Sequence, residues 1–158
     1  MYYSQLNAFD TMNGPGVRVS LFVSGCTLRC RGCFNKEAQN FKHGQEYTED
    51  TEATILKTLD SMHHQGLSVL GGDPLEEKNC QTVLNLCSKV KKCLPDKTIW
   101  LWTGRTVEEI RANTLYSDLF EVVDVLIEGR FVQELRNPAM QYAGSTNQRI
   151  IDCANFRA

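Results

Sequence analysis

The chain has 158 residues, 42% hydrophobic and 23% charged, which suffices for one domain with its own core and excludes a disordered or collagen-like chain. A formal net charge of −2, from 17 Lys and Arg against 19 Asp and Glu, gives no basic field for a phosphate backbone, so nucleic acid is not an expected partner. Seven cysteines are too few for a disulfide-stapled secreted scaffold, and their odd number points to metal ligands and core thiols in a reducing compartment.

Residues 1–10 have neither the basic nor the apolar region of a secretory signal, and no run approaches 18 apolar residues; the expected setting is the cytoplasm, away from membranes. After the turn Asn13-Gly14-Pro15-Gly16, residues 17–23 read as a strand that begins alternating and becomes wholly apolar, ending at Gly25. Thr48 is placed to cap a helix with Glu49, Asp50 and Glu52 in its first turn, Ile55, Leu56, Leu59 and Met62 as its buried stripe, and Gly66 as its stop. A strand over 67–70 runs into Gly71-Gly72-Asp73-Pro74. From Glu76 a second helix carries Cys80, Val83, Cys87, Val90 and Leu94 on one face, and Pro95 closes it. Residues 98–103 form a third strand, Thr106 and Glu109 have the spacing of a capping box for a short helix, residues 122–127 a fourth strand, and residues 148–151 an edge element. Strands alternating with helices predict an α/β fold with a mainly parallel sheet. A full eight-fold barrel needs about 250 residues, so this length predicts an incomplete (β/α) barrel of about five β/α units, occupying residues 1–158 as a single domain.

Cys26, Cys30 and Cys33 follow immediately on the first strand. Thiolates are soft ligands suited to zinc, Cu(I) or iron–sulfur clusters, and Gly25 and Gly32 let the loop wrap tightly. A closed zinc site needs four ligands, and no second cysteine pair follows; His43 is the distant candidate for the fourth. A thioredoxin-like dithiol of Cys30 and Cys33 leaves Cys26 unexplained. Three cysteines on a 4Fe–4S cluster leave one iron without a protein ligand, open to a substrate. Cys80, Cys87 and Cys93 read as helix-face packing, Cys153 stands alone near the C-terminus, and His63-His64 fits a helix end.

The C-x₃-C-x₂-C loop, together with Gly71-Gly72-Asp73-Pro74 after the next strand, resembles the radical S-adenosylmethionine (SAM) superfamily. With Asn13-Gly14-Pro15-Gly16, Cys33-Phe34-Asn35, the segment 99–104 and Gly144-Ser145-Thr146-Asn147-Gln148, the chain is similar over residues 3–149 to the activases of the anaerobic ribonucleoside-triphosphate reductase within it.

That resemblance implies an enzyme in which Cys26, Cys30 and Cys33 hold one 4Fe–4S cluster whose open iron takes the amino and carboxylate groups of SAM. Gly71 and Gly72 would let the backbone approach the SAM amino group, Asp73 would accept from that ammonium or position the loop, Gly32 and Phe34 would meet adenine, and Thr103 would meet ribose or carboxylate. Many superfamily members have Glu where Asp73 stands. The implied outcome is a glycyl radical near the C-terminus of the reductase, with a flavodoxin or ferredoxin as low-potential electron donor. Residues 13–16, Arg130-Phe131 and residues 144–149 are the expected docking rim. The alternatives are an activase of another glycyl-radical enzyme, a small-molecule radical SAM enzyme, and a non-enzymatic iron–sulfur carrier or zinc module; a fourth protein ligand discriminates the last of these.

Overall fold

A computed structural model describes residues 1–157. Its framework is a seven-stranded mixed sheet in the order β3-β1-β2-β4-β5-β6-β7. The hairpin β1 (Tyr2–Asp10) and β2 (Val17–Val23) is antiparallel, and the two-residue β3 (Gln45–Glu46) pairs antiparallel with the outer side of β1. Strands β2, β4 (His64–Gly71), β5 (Thr98–Trp102) and β6 (Val125–Glu128) run parallel, and β7 (Arg149–Asp152) returns antiparallel on β6.

The expected incomplete barrel with a mainly parallel sheet and about five β/α units is therefore wrong. The sheet ends in open edges at β3 and β7, and three of its seven strands are antiparallel additions to a four-strand parallel centre. Two features of the chain account for this. Residues 2–10, read only as a non-signal, form a half-exposed strand hydrogen-bonded on both sides. Beyond β6 no α-helix follows among the described residues, so the chain returns as β7 without starting another unit.

Helix α1 (Glu49–Leu59) starts as expected at Thr48, whose hydroxyl accepts from the Thr51 amide, and it buries Ile55 and Leu59. Met62 lies past its end and is 89% exposed, so the apolar stripe stops at Leu59. Gly66 and His64 belong to β4; His64 is buried with Nε2 2.6 Å from the Ala8 carbonyl oxygen, while His63 is exposed. Helix α2 (Glu77–Cys93) buries Cys80, Val83, Cys87 and Val90 of the predicted stripe and adds Leu84 and Leu86, while Leu94, the last predicted position, lies just past its end and is partly buried. The capping box of Thr106 and Glu109 opens α3 (Val107–Arg111), and the single turn α4 (Leu119–Val122) leads into β6. No helix among the described residues is long and apolar enough to cross a membrane.

Strand alternation gives the sheet two different faces. Val19, Leu21, Leu67, Val69, Ile99, Leu101 and Leu126 pack with the helices into the main core. Across the opposite face, Phe22 pairs with Leu70 and Trp102 with Ile127, forming an apolar row near the C-terminal ends of the parallel strands. One layer below, Arg18 is buried and hydrogen-bonded throughout: Nε donates to Ser68 Oγ at 2.7 Å, Nη1 to Thr98 Oγ1 at 3.0 Å and Nη2 to the Leu67 and Thr98 carbonyls at 2.8 Å. Its guanidinium also lies over the Trp100 ring. Burial pulls its pKa down to about 10, and the ring of bonds makes the buried charge tolerable.

Candidate metal centre

The loop leaving β2 is tied to the body before its first cysteine. Gly25 N donates to the Ala38 carbonyl at 2.7 Å and Cys26 N to the Gln39 carbonyl at 3.2 Å, while buried Asn79 on α2 donates to the Ser24 carbonyl at 3.0 Å. Gly25 has φ +103°, and a Cβ there would enter the Phe41 ring, so only glycine fits. Farther along, Cys33 N donates to the Cys30 carbonyl at 3.1 Å, folding the last two cysteines into a tight turn.

The loop leaving β4 packs directly on this one. Gly72 N donates to the Val23 carbonyl at 2.7 Å and Asp73 N to the Gly25 carbonyl at 2.8 Å. Gly71 has φ +118° and faces the Val23 backbone; a Cβ on Gly72 would lie 2.5 Å from the Gly25 carbonyl oxygen and 2.8 Å from that of Ala38. The space these glycines leave is thus filled by the end of β2 and the cysteine loop, a structural demand that the expectation of clearance for SAM did not include.

Asp73 is buried and fully engaged. Oδ1 accepts from Leu75 N at 2.8 Å and Thr103 Oγ1 at 2.9 Å, and Oδ2 from Gly104 N at 2.9 Å and Thr103 Oγ1 at 3.1 Å. Burial raises its pKa above the ordinary carboxylate value, against the pull of these donors. The side chain joins the β4–α2 and β5–α3 loops. Thr103 is committed to the same join, because its oxygen also accepts from Arg105 N at 3.2 Å.

A cavity of about 730 Å³ opens where these loops meet. Cys26, Cys30, Cys33, Gly32, Phe34, Gly71, Gly72, Asp73 and Thr103 all line it, so every residue singled out for cluster or SAM contact comes to one place. The apolar row of Phe22, Leu70, Trp102 and Ile127 forms its floor. Phe34 stands at the lip, 99% exposed. Its volume lies within the range of about 300–1,000 Å³ usual for small-molecule sites.

Among the described residues no three His, Cys, Asp or Glu side chains converge on a single-ion site, and the three loop cysteines are the only Cys or His lining the cavity. His43, the candidate fourth zinc ligand, instead faces Glu37 at 3.8 Å. Three cysteines with no fourth Cys or His beside them among the described lining residues suit a polynuclear cluster better than a closed four-ligand site for one ion. Burial pushes the Cys26 thiol up to about 11, and the charges of Asp73 and Glu76 add to this against the Leu28 and Arg29 amides. A bound metal supplies the positive charge that holds such a thiol deprotonated.

All seven cysteines are free. Cys80, Cys87 and Cys153 are buried, whereas Cys93 is exposed, against the expectation that it packs in the core. Of the expected rim, Asn13, Phe131, Gly144 and Gln148 line the cavity; Arg130, Asn147 and Arg149 line a separate depression beside it. Three contributors escaped sequence reasoning. Glu76 binds the cysteine loop, Asn79 bridges the Ser24 and Asp73 carbonyls, and Trp102 Nε1 donates to the Tyr142 carbonyl at 2.7 Å, pinning a strap over the cavity. The one local signal was Glu76 itself, a long acidic side chain where a short cap is usual.

Comparison with known proteins agrees with this geometry. Residues 12–151 match the family model described as a 4Fe-4S single cluster domain. The chain is 43% identical over 152 residues to the anaerobic ribonucleoside-triphosphate reductase-activating protein of Pasteurella multocida, covering 95% of this chain and 96% of that one. It is 39% identical over 150 residues to the protein of that name from Escherichia coli strain K12, covering 94% of this chain and 96% of the relative. The counterpart in Enterobacteria phage T4 is also 39% identical over 150 residues, with 95% and 93% covered.

Proposed function

The chain belongs to the family of anaerobic ribonucleoside-triphosphate reductase-activating proteins, with the 4Fe–4S domain of that family, and from this premise we propose that it is a radical SAM enzyme that installs a glycyl radical on the reductase. The observation that carries the reading is the shared cavity: Cys26, Cys30 and Cys33 line it together with Gly71, Gly72 and Asp73 of the loop packed against theirs, with no further Cys or His among the described lining residues. Three protein ligands leave room for a small molecule to complete the coordination.

Cys26, Cys30 and Cys33 would hold the cluster, which when reduced would supply the one electron for cleaving SAM to methionine and a 5′-deoxyadenosyl radical, and a glycine Cα of the reductase would give up its hydrogen atom to that radical, leaving 5′-deoxyadenosine and the glycyl radical. The chain's own part is orientation and exclusion. The backbone of Gly71 and Gly72 forms the wall that receives the methionine end, held there by Asp73 through Thr103 and the Gly104 amide. Gly32 and Phe34 receive the adenine, and the floor of Phe22, Leu70, Trp102 and Ile127 keeps water from the reacting carbon. The strap of residues 131–148 and Asn13 meet the reductase loop that carries the glycine, and a low-potential flavodoxin or ferredoxin delivers the electron. This fits a single radical SAM domain working in the cytoplasm.

The test is anaerobic incubation of the reconstituted, reduced protein with SAM and the reductase, reading 5′-deoxyadenosine by chromatography and an organic radical by electron paramagnetic resonance. Both products are expected, the radical only when the reductase is present. SAM left intact by a fully loaded, reduced cluster overturns the reading.

A further inference from the structure

Glu76 precedes α2 at its capping position, where a short Ser, Thr, Asp or Asn is favoured because it reaches the helix's free amides. Its side chain makes no such bond. It is buried and turns to the neighbouring loop, where Oε1 accepts from Thr27 N at 2.7 Å and from Thr27 Oγ1 at 2.8 Å. On its other side Arg105 Nη2 stands 3.9 Å from Oε2, too far for a close ion pair, while Arg105 Nε donates to the Leu75 carbonyl at 3.2 Å. A buried carboxylate is costly unless well hydrogen-bonded. Here the compensation comes from the residue that follows Cys26.

We propose that Glu76 is a positioning residue for Cys26, fixing through Thr27 the turn by which the first cysteine presents its sulfur to the cluster. The inference rests on the proposed cluster role of Cys26. Before Cys26 the chain is held by backbone bonds of Gly25 to Ala38 and Asp73, and of Cys26 to Gln39. After it, the paired Thr27 bonds anchor the loop to the start of α2, so Cys26 is fixed from both sides. Groups that orient a metal ligand through hydrogen bonds from outside its coordination are typically worth about tenfold or more in metal affinity.

Glu76→Ala removes the acceptor, whereas Glu76→Gln keeps an oxygen for Thr27 and removes the charge. After anaerobic reconstitution, Glu76→Ala is expected to lower iron affinity about tenfold and alter the electron paramagnetic resonance signal of the reduced cluster, with Glu76→Gln close to the unaltered chain. Circular dichroism and the melting temperature of the metal-free proteins establish that each variant folds; Thr27→Val, which loses only the hydroxyl, provides an intermediate case if Glu76→Ala does not. Iron content and spectrum unchanged in Glu76→Ala overturn the proposal, as does a loss in Glu76→Gln equal to that in Glu76→Ala. Absence of SAM cleavage by the unaltered, loaded protein would instead count against the proposed function and leave this comparison of iron affinities intact.

Discussion

The hydroxyl of Thr103 reaches both carboxylate oxygens of Asp73, at 2.9 Å and 3.1 Å, and so joins the ends of β4 and β5 at the wall of the cavity. Thr103→Val has nearly the same shape and removes this donor, and it also strips the Arg105 amide of its acceptor. The expected cost is about 1–3 kcal/mol in urea unfolding of the metal-free protein. Asp73→Ala should cost more, since the Leu75 and Gly104 amides lose their partner as well. The double variant should then fall short of the sum. Strict additivity would show that the two side chains do not act together.

Gly72 and Gly104 both line the cavity, but a side chain at each meets different matter. At Gly72 the added Cβ strikes the Gly25 and Ala38 carbonyl oxygens, which are backbone and cannot yield without moving Cys26. At Gly104 it meets the tip of the Leu28 side chain, which can rotate away. Gly72→Ala is therefore expected to lower iron affinity about five- to thirtyfold, the scale of a distortion of about 1–2 kcal/mol at the ligand loop, while Gly104→Ala retains it. Iron per chain decides, and equal incorporation by both would mean that the loop tolerates displacement.

How much of this was legible before the fold was known depended on the range of the signal. The cysteine spacing, the strand over Val17–Val23 and the apolar face of α2 are local patterns, and each stands where it was expected. The barrel was not there because β1 carries Ser4, Gln5 and Asn7 among half-exposed positions and has no apolar alternation to announce it. Its place is decided by pairing with β2 and β3. The same limit hid Glu76 and Trp102, whose partners are 49 and 40 residues away in the chain. Glycines 71 and 72 were legible as a close approach, but the packing of Gly71 on the end of β2 and of Gly72 on the cysteine loop was not.

Thiol reactivity should separate the cysteines by environment. Burial pushes Cys87 and Cys153 up to about 12, and both are inaccessible, whereas Cys93 is exposed. Thiolates are the reactive form, so iodoacetamide at about pH 8 should modify Cys93 well before Cys87 or Cys153 in the metal-free protein. Mass spectrometry of peptides reads the order. Replacing Cys26, Cys30 or Cys33 by Ala should abolish most iron binding, with Cys153→Ala retaining it; a comparable loss at Cys153 would contradict the three-cysteine site.

Asp124 links stability to pH at the far end of β6. Burial raises its pKa, but hydrogen bonds from Lys91, the Ile99 amide and Arg157 outweigh this and hold it below the ordinary 3.8. Because the folded value is the lower one, the ionised group stabilises the fold above the unfolded value, and that contribution is lost as pH falls through the folded value. The stability advantage of the unaltered chain over Asp124→Asn should be level near neutrality and shrink below about pH 4. Urea midpoints of the metal-free proteins across that range test it, and an advantage that grows on acidification would reverse the assignment.

The strap over the cavity hangs on Trp102. Its indole Nε1 donates to the Tyr142 carbonyl at 2.7 Å, and Tyr142 holds φ +66°, a left-handed conformation that costs a non-glycine residue about 1 kcal/mol and persists where its surroundings impose it. The Tyr142 ring also meets Trp100 edge-on at 5.0 Å. Trp102→Phe keeps an aromatic floor but gives up the donor, so the strap loses the bond that opposes its strain. Amide hydrogen exchange should accelerate several-fold across residues 139–144 and remain unchanged in β4 and α2, since a bond worth about 1 kcal/mol shifts a local opening equilibrium by that factor. Faster exchange throughout the sheet would place Trp102 in the stability of the whole fold, and no change in the strap would show that the Trp100 contact holds it alone.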